Sequence, residues 1–288
     1  LIYNKCPHQG SSLHNRFRAY YDEIVCPYHG FRFKDGQLLD LGKPTNSVVI
    51  KDICVPSLPV HNDGEMIYTI PMIDIHGTSF DQLSKYLVDL PYYPPEEYDK
   101  QFTKITGQIR LPKNSNIVIE NVLDMLHISY VHSFGNRDLP FPTDIHFEKL
   151  TEFSGRTTFV YPSGENSISK KIANVHDIHV ENEFHLPSTT ITRVRAGNYV
   201  KTVMTRSLSV NENETILFWV LYRNFWNKTN VVKTISDMYL RSLMHQTLEE
   251  DRRILHKVYD QHYDRYKTKY DITILQYRKC KKIFFSNE

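Results

Sequence analysis

Two short stretches, Cys6-Pro-His8-Gln-Gly10 and Cys26-Pro-Tyr-His29-Gly30, decide how the first part of this chain folds. Each stretch offers one thiolate and one imidazole, and seventeen residues separate His8 from Cys26. Two loops with mixed ligands suit a 2Fe-2S cluster in which the cysteines hold one iron and the histidines hold the other. We therefore expect these four side chains to bind such a cluster.

A single zinc ion is the alternative, because two cysteines and two histidines can also form a tetrahedral zinc site. The ligands within one zinc-binding loop usually have two to four residues between them, so the single residue between Cys6 and His8 favours the cluster. Gly10 and Gly30 follow the ligands, where the backbone must pass close to sulfide and donate N–H bonds. This ligand order is typical of Rieske domains.

The 288-residue chain is long enough for two domains. Its hydrophobic content of 40% and its mean hydropathy of -0.46 are typical of a globular protein in water. The sequence contains no stretch of about eighteen apolar residues, so it predicts no membrane span. The formal net charge of +2 gives no reason to expect nucleic acid or a membrane as a partner.

Two of the four cysteines, Cys54 and Cys280, lie outside the ligand loops and far from each other in sequence. Two free thiols predict a reducing compartment, and hence a cytoplasmic location. The first cluster ligand already occurs at Cys6, whereas a Rieske domain normally has strands before this loop. We therefore expect the first domain to be incomplete at its N-terminus.

The first domain is expected to be all-β and to span residues 1–72. Short strands are predicted at 18–25, 47–50 and 66–70. Between two apolar stretches, Asp35-Gly36 predicts a hairpin with a tight type I′ turn. Prolines and a change in composition separate this region from a second domain at 73–288.

The second domain is expected to be α+β. Its predicted elements are a strand at 101–111, a helix from Asn114 or Ser115 to about His132, alternating strands over 145–225 and a helix at 230–262. Turns are predicted at Ser154-Gly155, Gly197-Asn198 and 211–213. Helices at both ends of a run of antiparallel strands predict a sheet with helices on one face.

Three polar residues, Asp124, His127 and His132, lie on the first predicted helix among apolar neighbours. Such groups are costly to bury unless something satisfies them. Asp124 and His127 are three residues apart and share a face. His127 and His132 are five apart, about 140° around an ideal helix, so they can meet at one metal ion only if the helix is distorted or ends near His132. Either histidine alone is more simply a core residue bonded to a carbonyl.

The last helix predicts a third ligand. Its apolar stripe consists of Leu240, Met244, Leu248, Leu255 and Val258. Asp251 falls within this stripe. Four charged neighbours lie off it and are expected to be solvated: Glu249, Glu250, Arg252 and Arg253. One Fe(II) ion bound by His127, His132 and Asp251 would satisfy all three buried groups as a 2-His-1-carboxylate triad. An ion pair between Asp251 and a nearby Arg or His is the alternative.

The two cluster loops, followed by Asn-x-x-Asp-x-x-His-x-x-x-x-His and a late Glu-Asp on a helix, resemble the Rieske non-haem iron oxygenases over nearly the whole chain. The pattern is most similar to oxygenase components of the vanillate O-demethylase and dicamba monooxygenase type. The resemblance implies a helix-grip sheet around the iron and a homotrimer. In that trimer Asp124 bridges His8 or His29 of one subunit to His127 of the next.

The resemblance also implies an oxidoreductase that uses O₂ to hydroxylate or oxidatively demethylate a small organic substrate. Electrons would come from NAD(P)H through a separate reductase, with or without a ferredoxin, which agrees with the absence of a nucleotide-binding glycine motif. Asn121 is a candidate catalytic residue beside the iron, with helix packing or capping as its alternative role. The rival function is a Rieske electron-transfer protein whose second domain binds a ligand or partner without catalysis.

Overall fold

The structure is a computed structural model that describes residues 2–14, 18–20, 22–40, 54–55, 57–58, 60–62, 67–69, 92–165, 167–259 and 267–286. The chain divides into two compact units, Leu1–Pro91 and Tyr92–Glu288. The predicted domain boundary at 72/73 and the predicted strand at 47–50 lie outside the described residues. None of the described helices is both long and apolar enough to cross a lipid bilayer.

The first unit is built from short antiparallel strands. Four of them form one sheet in sequence order, and two form a separate pair: β1 (Arg18–Tyr20), β2 (Glu23–Val25), β3 (Arg32–Lys34), β4 (Gln37–Asp40), β5 (Val60–Asn62) and β6 (Ile67–Thr69). The single strand predicted at 18–25 is wrong, because the chain turns near Asp22 and Arg18 then pairs with Val25. The strand predicted at 66–70 corresponds to β6.

The predicted hairpin between β3 and β4 is confirmed. Asp35 and Gly36 both have positive φ, 50° and 82°, as a type I′ turn requires. A Cβ atom at Gly36 would lie 2.6 Å from the carbonyl oxygen of Val55, so a side chain does not fit there. The turn therefore closes against the packed interior of this unit, which contains Phe33 and Val55.

The second unit contains a seven-stranded antiparallel sheet in the order β7-β13-β12-β11-β10-β9-β8. Its strands are β7 (Thr103–Leu111), β8 (Thr143–Thr151), β9 (Ser154–Pro162), β10 (Asp177–His185), β11 (Thr189–Ala196), β12 (Tyr199–Asn211) and β13 (Glu214–Arg223). The turn predicted at Ser154-Gly155 is wrong, because both residues belong to β9. Gly155 instead makes room for the Phe147 ring across the strands, 2.6 Å from the position of a Cβ atom.

Among the residues that the structure describes, five α-helices accompany this sheet: α1 (Ser115–Leu123), α2 (His127–Val131), α3 (Ile168–Ala173), α4 (Asn230–Leu255) and α5 (Ile272–Ser286). Asn114 is the N-cap of α1, and its side chain accepts N–H bonds from Asn116 and Ile117. The prediction of one helix up to His132 is wrong, since α1 ends at Leu123. The helix predicted at 230–262 corresponds to α4, which ends earlier, at Leu255.

The helices cover one face of the sheet, as predicted. Leu217, Trp219 and Leu221 of β13 pack with Leu240 and Met244 of α4 in the largest apolar cluster. The predicted stripe on α4 is confirmed for its four helical members, whereas Val258 lies beyond the helix and is 38% exposed. The architecture is therefore α+β, with a β-rich first unit.

The opposite face of the sheet is covered by the segment just before β7. Val220 and Tyr222 of β13 pack there with Tyr92 and Tyr93. A buried group of ions lies beside them, in which Arg193 contacts Glu96, Glu181 and Glu183. These ion pairs connect the segment before β7 to the middle of the sheet.

Candidate metal centres

The two cluster loops have the same backbone construction. In each loop the cysteine N–H is bonded to a carbonyl five residues later, Ser11 or Phe31. The glycine four residues after each cysteine returns a bond from its own N–H, Gly10 to Cys6 and Gly30 to Cys26, and both glycines have a φ of 76°. This tight turn requires the left-handed conformation, which explains the glycines.

The four predicted ligands come together as two pairs. The Nδ1 atoms of His8 and His29 are 3.2 Å apart, within reach of one metal ion. Cys6 and Cys26 are hydrogen-bonded to each other and only 2% exposed, whereas both histidines lie at the surface. Among the described residues, these four do not form a group of three ligand atoms that are all within 4.8 Å of one another. A pair of thiols beside a pair of imidazoles fits two irons better than one zinc ion.

Backbone N–H groups favour thiolates in both loops. Burial raises the pKa of Cys6, although the N–H groups of His8 and Gln9 oppose this effect. Burial also disfavours ionisation of Cys26, but the N–H groups of Tyr28 and His29 bring its pKa below the usual value. The loops thus provide the donors that a thiolate ligand needs.

The second predicted set of ligands also comes together. Asp251 Oδ1 lies 3.6 Å from Nε2 of His127 and 3.6 Å from Nε2 of His132. Among the described residues, this trio is the group whose ligand atoms all lie within 4.8 Å of one another. Asp251 Oδ1 is buried and has no hydrogen-bond partner in the described part of the chain. A buried carboxylate oxygen between two imidazole nitrogens fits a metal cation.

An interruption between helices α1 and α2 allows both histidines to face Asp251, although they are five residues apart in sequence. The backbone of Asp124 is extended, with φ -68° and ψ 125°, and the short helix α2 starts anew at His127. His132 follows this helix and is itself extended. Because the ligands lie at the two ends of five helical residues, both rings can turn towards Asp251. Their centroids are 5.0 Å apart.

Both histidines are oriented by an acceptor on the Nδ1 side. Nδ1 of His127 is 2.8 Å from the carbonyl oxygen of Asp124, and Nδ1 of His132 is 3.1 Å from a carboxylate oxygen of Glu250. A carbonyl and a carboxylate only accept, so both Nδ1 atoms are protonated and donate. The lone pair of each Nε2 then points towards Asp251, as a metal ligand requires.

Glu250 was predicted to be solvated, and that prediction is wrong. Its side chain is 16% exposed and accepts both the His132 imidazole and the N–H of Ser133. The apolar stripe of α4 identifies the side of the helix that packs on the sheet. Glu250 lies off this stripe, so the pattern alone predicts that it is exposed to solvent. The break after α1 places His132 on another side of α4. The sequence does contain a signal for the role of Glu250, since this acid directly precedes the buried Asp251 in a Glu-Asp pair.

The carboxylate of Asp124 serves the backbone of α2 within this chain. Its Oδ1 accepts the N–H groups of Leu126 at 2.7 Å and His127 at 3.4 Å, and the residue is half-buried. The expectation that Asp124 lies beside His127 is confirmed, although the contact to the ring comes from its carbonyl and not from its carboxylate.

The electrostatics of the trio suit a metal ion. Burial raises the pKa of Asp251 to about 6, while nearby His127 and a hydrogen bond from Asn121 oppose the shift. Burial, together with His127, lowers the pKa of His132 to about 4. His132 is therefore neutral near pH 7, in the form that binds metal. Asn121 lies beside Asp251, as the sequence suggested.

A cavity of about 230 Å³ lies next to the trio, which forms part of its wall. Its surface is mostly apolar and comes from the helix-covered face of β10 to β13, from α4 and from the loop after α2. Two of its polar residues are Asn182 on β10 and Lys201 on β12. Desolvation lowers the pKa of Lys201. The cavity can therefore hold a small, largely apolar molecule beside the trio.

Family models match both units of the chain. Residues 1–59 match the Rieske [2Fe-2S] domain. Residues 113–280 match the vanillate O-demethylase oxygenase C-terminal domain, which covers more than half of the chain. The first match contains all four predicted cluster ligands, and the second contains the entire trio.

One curated relative is the chloroplast protein protochlorophyllide-dependent translocon component 52 of Arabidopsis thaliana. It is 29% identical over 142 residues, which are 48% of this chain and 24% of the plant protein. The match thus spans about a quarter of that relative's length.

Solved structures share the fold over almost the entire chain. One of them is NdmA of Pseudomonas putida CBB5, determined with caffeine. The superposition covers 96% of this chain and 76% of the NdmA chain, with a TM-score of 0.73 and 16% identity. Another is dicamba monooxygenase bound to dicamba, for which the superposition covers 99% of this chain and 87% of the other, with a TM-score of 0.74 and 17% identity. At this level of identity the likeness establishes the fold alone. With both family models matched in this order, the chain belongs to the Rieske oxygenases that carry a vanillate O-demethylase type of C-terminal domain.

Proposed function

We propose that this chain is an oxygenase component that uses O₂ and externally supplied electrons to hydroxylate or oxidatively demethylate a small organic substrate. The observation that carries the proposal is the buried Oδ1 atom of Asp251, which has no hydrogen-bond partner among the described residues and lies 3.6 Å from two imidazole nitrogens, beside an apolar cavity. His127, His132 and Asp251 would hold an Fe(II) ion, and such an ion would supply the activation of O₂.

The protein contributes position and exclusion of water. Glu250 and the carbonyl of Asp124 fix the two imidazoles with Nε2 towards the ion, and Asn121 donates a hydrogen bond to Asp251. The mostly apolar cavity removes water from the bound substrate and holds it next to the open positions. We assign Glu250 a positioning role, since it acts through His132.

The source of the electrons is part of the proposal. They would enter through Cys6, His8, Cys26 and His29 with their 2Fe-2S cluster, from NAD(P)H by way of a separate reductase or ferredoxin. Transfer between subunits of a homotrimer through Asp124 stays a prediction, as does a cytoplasmic location.

The proposal is tested by iron content and by the products of turnover. The reconstituted protein should contain about three irons per chain, two in the cluster and one at the trio. Asp251→Asn should reduce this to about two and leave the visible absorption of the cluster unchanged. Incubation with ¹⁸O₂, a reductase and methoxy-aromatic or N-methyl compounds should then give products with ¹⁸O or with a methyl group removed. Two irons in both proteins would instead favour an electron carrier with a non-catalytic second domain.

A further inference from the structure

The cavity contains a lysine, Lys201, that has no ionic partner in the described part of the chain. The Lys201 side chain projects from β12 into the wall of the cavity and is partly buried. No described residue forms an ion pair or a hydrogen bond with its ammonium group. The ammonium approaches the Phe134 ring, whose centroid lies 6.0 Å from Nζ, and it is close enough to His132 to disfavour the charged form of that imidazole. A cation in an apolar cavity is stabilised by an anion, and here the described residues supply none.

The cavity also contains a side-chain amide, that of Asn182, to which the described residues make no hydrogen bond. Asn182 is 1% exposed, and neither its Nδ2 nor its Oδ1 has a hydrogen-bond partner among the described residues. Its strand neighbours are Thr157 on β9 and Thr192 on β11. A buried amide with both ends unsatisfied is unusual in a folded protein, because each unmade bond costs free energy. The side chain therefore has a donor and an acceptor ready for a ligand.

Several other polar groups of the wall already have partners. Thr205 is bonded to the hydroxyl of Thr190 at 2.6 Å, and Thr247 donates to the carbonyl of Leu243 at 2.9 Å. Most of the remaining wall is aliphatic or aromatic. Outside the trio, Asn182 is thus a wall residue whose buried polar atoms have no partner in the described part of the chain, and Lys201 is a cation of the wall with no anionic partner there.

We propose that the cavity selects a small apolar carboxylate whose anionic group pairs with Lys201 and whose second polar group, a carbonyl or hydroxyl, bonds with Asn182. A single ammonium in otherwise apolar surroundings suits a monoanion, whereas a phosphate dianion needs several donors. The volume of about 230 Å³ lies below the roughly 300–1,000 Å³ of pockets for drug-sized ligands, which indicates a small molecule. The inference rests on the proposed function, because it names the class of substrate for the same site.

The position of Lys201 relative to the trio supports this arrangement. The Phe134 ring stacks on the imidazole of His132 with 5.0 Å between centroids, and the ammonium of Lys201 approaches the same phenyl ring. An anion held by Lys201 would therefore place the apolar body of the ligand along Phe134, on the side of the cavity that leads to Asp251.

Anaerobic calorimetry on the full, iron-loaded chain tests the proposal without turnover. The probes are benzoate, cyclohexanecarboxylate and 3-phenylpropanoate, each compared with its own primary amide, which matches it in shape but lacks the charge. At least one carboxylate should bind about tenfold more tightly than its amide, the effect of one charge-assisted hydrogen bond in a dry site. Lys201→Met should abolish this preference, and Lys201→Arg should retain it.

Matched variants separate the two polar groups. Lys257→Met removes an exposed lysine outside the cavity and should leave the preference intact. Asn182→Leu should keep the preference for carboxylate but lose about tenfold discrimination between 3-(4-hydroxyphenyl)propanoate and 3-phenylpropanoate, in line with one lost hydrogen bond. Circular dichroism and the cluster absorption report whether each variant is folded.

The proposal is overturned if the wild-type protein binds none of the carboxylates, binds them no better than the amides, or keeps its preference in Lys201→Met. The wild-type comparison decides the matter even if a variant does not fold. Iron content is measured on the same samples. Loss of iron at the trio with intact carboxylate binding would refute the proposed oxygenase and not this inference, whereas full iron without carboxylate selection would refute the inference alone.

Discussion

At the scale of single residues, the geometry of the second site depends on the Nδ1 side of each imidazole, which faces away from Asp251. The carbonyl of Asp124 and the carboxylate of Glu250 each hold an Nδ1–H group, and this leaves both Nε2 atoms as acceptors around Asp251. Partners of this kind commonly change metal affinity as much as a weak ligand does. The carboxylates of Glu250 and Asp251 should therefore affect the site in different ways.

Glu250→Ala should lower the affinity for Fe(II) about 10–100-fold, because His132 loses the acceptor that fixes its ring and tautomer. Glu250→Gln retains an acceptor without the charge, so its affinity for Fe(II) should lie between those of Glu250→Ala and the wild type. Anaerobic metal titration measures the affinity. Glu249→Ala is the matched control, since Glu249 is the preceding residue of α4 and bonds to Arg252. Equal affinities for the Glu249 and Glu250 variants would contradict the positioning role.

Asp251→Asn should make the metal-free protein more stable by about 1–3 kcal/mol, because an amide relieves a buried oxygen that has no partner in the described structure. Its NH₂ group can donate to the Nε2 atoms of the two histidines. Thermal unfolding should show a higher midpoint for the variant without metal, and Fe(II) should raise the midpoint of the wild type only. A variant that unfolds earlier than the metal-free wild type would disprove this explanation.

At the scale of elements, the site is formed where a helix stops and restarts. Helix α1 ends at Leu123, and the Asp124 carboxylate accepts the first N–H groups of α2. This local bond competes with the continuous helix that the apolar pattern predicts. Asp124 therefore has a structural task in its own chain besides the bridging role expected from the family.

Asp124→Asn and Asp124→Ala should separate these two tasks. Asparagine can still accept the N–H groups of Leu126 and His127, so Asp124→Asn should bind Fe(II) as the wild type does but slow electron transfer from cluster to iron. Asp124→Ala should also bind Fe(II) less tightly, because α2 loses its first hydrogen bonds. Iron content and single-turnover reoxidation of the cluster measure the two effects. Unchanged transfer in Asp124→Asn would argue against the bridge.

Sequence patterns singled out both sets of predicted ligands, which the structure brings close together, and missed the parts that depend on distant neighbours. Burial of His127, His132 and Asp251 was apparent because polar residues interrupt apolar stripes. The break at Asp124 was not, since the stretch contains neither proline nor glycine and the helix ends through a side-chain bond. Glu250 was missed for the same reason: its partner is brought to it only by that break. Gly155 was taken for a turn residue, because the phenyl ring that requires it lies on another strand.

At the scale of the whole second unit, the sheet has a helix-covered face with the cavity and an opposite face with buried ions. Glu183 is fully buried and contacts Arg156 at 2.9 Å, Arg193 at 3.1 Å and His185 at 3.2 Å. Despite the cost of burial, these partners lower its pKa to about 2. The ion group thereby holds the segment before β7 on the face remote from the cavity.

Stability should depend on pH through this residue. The pKa of Glu183 is lower in the folded chain, about 2, than the usual 4.5, so its contribution of about 3 kcal/mol is present above about pH 4.5 and is lost as the pH falls towards 2. Glu183→Gln should lower the free energy of unfolding by about this amount at pH 7 and by much less at pH 3. Denaturant titrations at both pH values measure it. The control is Glu148→Gln, which removes a carboxylate on β8 that is 66% exposed, and similar effects for both variants would contradict the assignment.

Helix α4 ends at Leu255, one turn beyond Asp251, and its final bonds include that from His256 to Arg252. Terminal turns open and close readily in solution. An ion that connects Asp251 to α2 would stabilise this helix end. Binding of the ion and unfolding of the last turn of α4 should therefore oppose each other. Amide deuterium uptake at residues 252–256 should accordingly slow when Fe(II) is added, which offers a way to follow loading of the site without any substrate.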